Sequence, residues 1–371
     1  MELQDIYLIG GTSYRQMTKE LLEACELAEL ISDTEKIIGI KPNLVSATPA
    51  SLGATTHPEV AAGLIEYLQE HGFQKLRILE GSWVGDRTSE AFEVCGYREL
   101  SEKYQVPLLD MQKERGVAVV LGDQKLQICR AVQEIDFLIN LPVLKGHCQT
   151  KMTCALKNLK GLIPNSEKRR FHVLGLHNPI AALNAAIPQD FILVDNICGD
   201  LDSEDGGNPC YMNRLLAGRD PVLMDAYLCR EMHLKPEEIP YIPLSAGLGV
   251  GSDAVLEARV RWLNPEAQKK LPVSGRLVAL QDYVEEVESC SACYSYLIPA
   301  LDMLRQEGLL DGSAQEHFRK NKICIGQGWR GKGGLIGIGS CTSGFCTYLE
   351  GCPPTENQIF EFLKEYLEKG K

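Results

Sequence analysis

The run "IDFLINLPVLKGH", residues 135–147, is almost unbroken apolar sequence. A strand with one wet face alternates apolar and polar residues, whereas a continuous run has both faces covered. "KIIGIKPNLV", "KLRILEGS" and "DFILVDNICG" read the same way. Between them lie helical stretches. "HPEVAAGLIEYLQEHG" has Pro58 near its first turn and Gly72 at its end, and "TSEAFEVCGYRELSEKY" opens on Thr88 or Ser89. "NPIAALNAAIP" and "DPVLMDAYLCREM" are also helical in pattern. Strands alternating with helices predict an α/β fold on a mostly parallel sheet. That architecture also says where to look for function, since ligands bind beyond the carboxyl ends of such strands.

A chain of 371 residues exceeds what one hydrophobic core usually organises. The reading is an α/β main domain over 1–280 and a smaller α/β unit over 281–371. "RLVALQDYVEEVESC" (276–290) reads as an acidic helix leading into the second. There a helix ("YLIPALDMLRQEGLL"), a strand ("KICIG"), a Gly-rich loop, a strand ("GLIGIGS") and a terminal helix ("ENQIFEFLKEYLEKG") follow in turn.

The net charge of −12 argues against a nucleic-acid partner. No apolar run approaches the ~20 residues of a membrane span. The opening "MELQDIYLIGGTSYRQ" has no basic segment followed by an apolar one, so no secretory signal is read there. The expected location is cytoplasmic, with no membrane partner.

Fourteen cysteines are many for such a chain. Cys25, Cys95, Cys129, Cys198, Cys229 and Cys324 sit singly in apolar segments and read as small hydrophobes. The others cluster. Cys290 and Cys293 form C-x2-C, and Cys341, Cys346 and Cys352 follow as C-x4-C-x5-C, with Gly344, Gly351 and Pro353 interleaved. The C-x2-C bite suits zinc and iron–sulfur clusters alike. The wide second half suits an object larger than one ion, and Cys-Pro recurs at the last ligand of bacterial cluster motifs. "TENQ" is a capping box from Thr355 to Gln358, so a helix dipole starts just after Cys352 and favours anionic sulfur. The expectation is one [4Fe–4S] cluster, with zinc the alternative. Cys290, Cys293 and Cys352 are its ligands, with Cys341 the fourth because it follows a strand. Cys346 is the reserve.

The second dense stretch is "NLPVLKGHCQTKMTCALKNLKGLIP" followed by "EKRRFHVLGLH". It concentrates Lys145, His147, Lys151, Lys157, Lys160, Arg169, Arg170, His172 and His177 in an acidic chain. A small carboxylate or phosphate ligand would explain that charge. Strand ends also deliver Lys41 and Asn43, Glu80, and Asp195, with His57 in the loop after the first. The candidate catalytic residues are Lys145, His147, His172 and Asp195. The candidate ligand-binding residues are Lys41, Asn43, His57, Lys157 and Asn158. A histidine with a carboxylate serves as an acid/base pair or holds a divalent metal, and both readings stay open. "GGLIGIG" and "AGLGVG" do not give G-x-G-x-x-G, which argues against a dinucleotide.

"KPNLV", "TTHPEV", "LPVLKGH", "MTCALKNLKGLIP" with His172, "FILVDNI" and "GRDPVLMDA" together resemble a prokaryotic family, domain of unknown function 362. The resemblance covers roughly residues 35–250. The tail "CSACY", "GIGSCT" and "GCPPT" is similar to a C-terminal extension of some members, which implies Cys290, Cys293, Cys341 and Cys352 as ligands. Members are often described as iron–sulfur proteins, some with a ferredoxin-like module. This chain lacks C-x2-C-x2-C-x3-C-P, which excludes a two-cluster ferredoxin, and its "SEDGGNP" departs from the expected Glu-Gly-x-Gly-Pro form. The resemblance bears on fold and cluster, and names no substrate. The expected function is an iron–sulfur oxidoreductase or electron-transfer protein, working with a small anionic ligand and a redox partner protein. The alternatives are a non-redox metal-dependent or acid/base enzyme with structural zinc in its tail, and a redox-sensing binding protein.

Overall fold

The computed structural model describes residues 1–122, 124–272 and 278–369. The chain forms two compact units. The larger comprises 1–147, 152–169 and 177–273, and the smaller comprises 148–151, 170–176 and 274–371.

The strands up to residue 272 are β1 (Asp5–Gly10), β2 (Ile38–Pro42), β3 (Leu76–Glu80), β4 (Leu108–Asp110), β5 (Gly116–Leu121), β6 (Gln124–Cys129), β7 (Phe137–Leu141), β8 (Lys145–His147), β9 (Lys151–Thr153), β10 (Phe191–Asp200), β11 (Pro209–Gly218) and β12 (Arg259–Trp262). Eight of them make one sheet in the order β12-β1-β11-β10-β7-β2-β3-β4. β10, β7, β2, β3 and β4 pair in parallel. β11 runs antiparallel between β10 and β1, and β12 is parallel to β1. The fold is therefore α/β with a mostly parallel sheet, as the continuous apolar runs predict. β7 and β10 are buried at every position. Leu21, Leu64, Ile65 and Leu68 from two helices cover one face of the sheet with Ile38, Ile40 and Ile139.

Three expected elements differ. The run 135–147 is not one strand. β7 ends at Leu141 because Pro142 has no N–H to offer the ladder, and the chain resumes as β8. The helix over 88–104 is two, Thr88–Val94 and Tyr97–Tyr104, parted at Gly96 with φ 77°. The helix over 276–290 is a correction. Residues 276 and 277 lie outside the described residues, Val278–Gln281 is one helical turn, and Val284–Glu286 is a strand, β13. Pairing of Val284 with Ile323 and Glu286 with Ile325 outweighs the helical pattern of that segment.

β13 opens the sheet of the smaller unit. β14 (Ile323–Ile325), β15 (Ile336–Ile338) and β16 (Thr347–Leu349) follow in order, and every pairing is parallel. Helices Ser291–Gln306, Gly312–Lys320 and Glu356–Lys369 accompany it. Leu297, Leu301, Phe318, Ile325, Ile338 and Ile359 share its core. Among the described residues, no helix is long and apolar enough to cross a membrane.

Candidate functional site

Every strand of the small sheet points the same way, so its four carboxyl ends share one edge. Cys290 follows β13, Gly326 follows β14, Cys341 follows β15 and Cys352 follows β16. With Cys293 and Arg330 they line a cavity of about 160 Å³. The four cysteines ranked first from the sequence thus line one space. Cys346 is exposed and lies outside that lining. Among the described residues, no three cysteine sulfurs lie within 4.8 Å of one another.

Local structure puts them there. Cys290 is the N-cap of the helix Ser291–Gln306, and Cys293 sits in its first turn with its N–H on the Cys290 carbonyl at 3.2 Å. The positive end of that helix faces the pair. A hydrogen bond from Cys293 holds the Cys290 thiol down at about 6, against the upward push of burial. Cys352 precedes the terminal helix Glu356–Lys369. There Gln358 Oε1 accepts from Thr355 N at 2.9 Å and Thr355 Oγ1 accepts from Gln358 N at 3.4 Å, which completes the capping box. Gly326 has φ 120° and lies against the Val287 carbonyl, so this corner excludes any side chain. The exposed Arg330 guanidinium bonds the Cys341 sulfur.

The large unit gathers a different set at the carboxyl edge of its own sheet. Lys41 Nζ donates to Glu80 Oε2 at 2.9 Å and to the Pro42 carbonyl at 2.6 Å. Glu80 also accepts from Leu44 N at 2.7 Å and Gly81 N at 2.7 Å. Asn158 donates to Asn140 Oδ1 at 2.7 Å and to the Lys41 carbonyl at 3.2 Å. A Cβ at Gly161 would come within 2.6 Å of Lys41 Nζ, so only glycine lets the backbone lie over this ion pair. His57 Nδ1 is 2.8 Å from Asp195 Oδ2, and the same carboxylate accepts from His57 N at 2.7 Å. Burial opposes charge on His57, but Asp195 outweighs it and the imidazole pKa is raised.

Lys145 Nζ donates to the carbonyls of Ala54 at 2.6 Å and Glu204 at 2.8 Å, and reaches Asn43 Oδ1 at 3.5 Å. Among the described residues it has no carboxylate at ion-pair distance. Burial first, then the charge of Lys157, lowers its pKa to about 7. Lys157 Nζ donates to Thr153 Oγ1 at 3.2 Å. His147 is buried, 3.5 Å from Glu204, and burial drives its pKa well down. Lys41, Lys145 and Lys157 therefore face inward, not onto a wet basic surface. His172 belongs to the smaller unit. Among the described residues, His57, His147 and Asp195 do not form a three-ligand group within 4.8 Å.

Two residues escaped the sequence reading. Lys168 is buried and donates to the carbonyls of Gly81 at 2.8 Å and Ser82 at 2.7 Å, with its pKa pushed to about 8 by burial. Its signal was position, three residues before the buried Phe171 on one helix face. Asp225 accepts from Ala155 N at 2.8 Å and Leu156 N at 3.1 Å, fixing the turn that carries Lys157 and Asn158. Burial raises its carboxyl to about 7.

The family model described as "Domain of unknown function (DUF362)" matches residues 38–230. A thylakoid-associated protein of Synechocystis sp. is 26% identical over 229 residues, spanning 58% of this chain and 68% of that protein. Two solved structures are similar in part. The lactate racemase apoprotein from Thermoanaerobacterium thermosaccharolyticum is 17% identical at TM-score 0.38, with 57% of this chain and 54% of that one covered. A protein from Thermotoga maritima is 15% identical at TM-score 0.36, with 64% and 60% covered. The match spans less than two thirds of either of those chains.

Proposed function

The chain belongs to the DUF362 family, and on that footing we propose that it is an iron–sulfur protein, an oxidoreductase or electron-transfer protein that works with a small anionic ligand. One observation carries the reading. Cys290 and Cys293 follow β13, Cys341 follows β15 and Cys352 follows β16, and all four line a single cavity.

The donor set fits a [4Fe–4S] cluster, which takes four thiolates. A lone zinc ion, with Zn–S about 2.3 Å, would draw its sulfurs to about 3.8 Å of one another. Among the described residues no three cysteine sulfurs come within 4.8 Å of one another. When bound, such a cluster supplies one-electron chemistry. The chain's own groups prepare for it. Cys290 caps one helix and Cys352 precedes another, so two helix N-termini flank the set.

In the large unit, Lys145 and Lys157 supply positive charge to a small carboxylate or phosphate. The buried Lys145 ammonium donates to the carbonyls of Ala54 and Glu204; burying a charge on neutral acceptors is costly, and an anion would relieve it. A second reading, acid/base catalysis without redox chemistry, draws on the His57–Asp195 pair, whose carboxylate fixes the ring.

The test is the iron, zinc and acid-labile sulfide content of protein purified without oxygen. About four iron and four sulfide per chain support the proposal. One zinc and no sulfide overturn it and leave the acid/base reading.

A further inference from the structure

We infer that the connection between β10 and β11, residues 201–208, is a strap that holds the lysine site shut, with Glu204 on the path that an anionic ligand must take. The inference rests on the anion reading of Lys145 and Lys157 above and adds how access to that site is controlled.

A lysine ammonium has three N–H donors. On Lys145 two are held by the carbonyls of Ala54 at 2.6 Å and Glu204 at 2.8 Å, and the third is left to Asn43 Oδ1 at 3.5 Å. Lys145, Ala54 and Asn43 are all buried. Glu204 is the one member of this group that reaches the surface, with its side chain 23% exposed. A ligand coming from solvent to the ammonium therefore meets Glu204 first, and bonding to the nitrogen displaces the Glu204 carbonyl. The side chain opposes that approach as well. Glu204 Oε1 is 3.5 Å from His147 Nε2, and the negative charges of Glu204 and then Asp205 act on Lys145. Asp205 in turn feels Lys145 and Lys157. These carboxylates offset part of the cost of the buried cation. They also repel an incoming anion, so binding is an exchange of the strap's charge for the ligand's.

Local structure ties the strap at both ends and leaves its middle self-contained. Asp200 N donates to the Gly53 carbonyl at 3.0 Å, and Gly207 N donates to the Leu52 carbonyl at 2.9 Å. Both ties grip the loop after β2, which also supplies Ala54 to Lys145. Leu201 is buried, and its carbonyl lies 2.3 Å from where a Cβ on Gly146 would stand, so glycine in β8 lets the strap seat on that strand. Between the ties, Asp200 Oδ1 accepts from Asp202 N at 2.9 Å and Ser203 N at 3.0 Å, and Ser203 Oγ accepts from Asp205 N at 3.3 Å. These bonds lie within the loop and move with it. Gly206 and Gly207 have φ 80° and 121°, conformations that glycine adopts without a Cβ penalty, which places the pivot at the second tie.

The test measures binding of inorganic phosphate and of malonate to the anaerobically purified full chain by calorimetry. Wild type is compared with Glu204→Gln, which keeps the backbone carbonyl and removes the charge, and with Glu237→Gln, an exposed carboxylate elsewhere in the same unit. Amide hydrogen exchange across 201–208, with and without the tighter of the two anions, follows the strap itself. Expected is roughly tenfold tighter binding by Glu204→Gln, with Glu237→Gln unchanged. Exchange at 202–206 should quicken when an anion binds, because the strap is lifted. Binding seen for Glu204→Gln alone is the same result in its extreme form. Equal or weaker binding by Glu204→Gln, or exchange that does not quicken, overturns the strap and leaves the anion reading standing. No binding of either anion by any of the three proteins overturns the anion reading and this inference with it.

Discussion

Lys41 and Glu80 form an ion pair of 2.9 Å with both side chains closed to solvent. Each comes from the last residues of a neighbouring parallel strand, and Glu80 further accepts two backbone N–H groups. Removing one partner leaves the other charged and buried. Lys41→Met should cost about 3–5 kcal/mol of stability. Lys41→Met/Glu80→Gln should recover part of that loss in urea melts. Equal stability of Lys41→Met and wild type would show that the pair is not closed off in solution.

The His57–Asp195 pair sets a pH dependence. The folded imidazole pKa is raised above 6.5, so its contribution is fully present below about that value and is lost as pH rises through the folded pKa. Wild type should therefore exceed His57→Gln in stability by more at pH 5.5 than at pH 9. NMR titration of the His57 ring locates the transition directly. A ring titrating below 6.5 refutes the pairing.

Lys145 should give the opposite slope. Its folded pKa is lowered to about 7 from 10.5. Between those values the unfolded chain binds more protons, so this residue makes the protein more stable as pH rises. The stability of Lys145→Met relative to wild type should then be highest below pH 7 and decline toward pH 10. A difference that does not vary with pH places the ammonium in a wet environment.

The cysteine set divides cleanly. Serine at Cys290, Cys293, Cys341 or Cys352 should lower the iron retained per chain, whereas Cys346→Ser should retain it. Iron loss confined to Cys346→Ser, with Cys341→Ser intact, would reassign the fourth ligand.

Thr355→Ala removes one half of the capping box before the terminal helix. The expected loss is about 1 kcal/mol. Circular dichroism during denaturation should register it, and Thr355→Ser should restore most of it.

Much of this was legible in the sequence because it is local. Strands covered on both faces need continuous apolar runs, and β2, β3, β7 and β10 carry them. Thr355 and Gln358 meet within one helical turn. Cys341 was preferred over Cys346 because it follows a strand, and it is the one that lines the cavity. The rest depended on distant partners. Val284–Glu286 became a strand because β14 lay beside it, which no pattern within 276–290 announces. Burial of Lys41, Lys145 and Lys168 needed Glu80, Asn43 and the carbonyls of Gly81 and Ala54 brought around them. Lys168 and Asp225 act through backbone groups far along the chain, so their roles left no local signature. The sequence by itself determined the parallel-sheet class and the helix start after Cys352. Only the tertiary structure decided which charges went inside, because burial depends on what the rest of the chain places against a residue and not on its immediate neighbours.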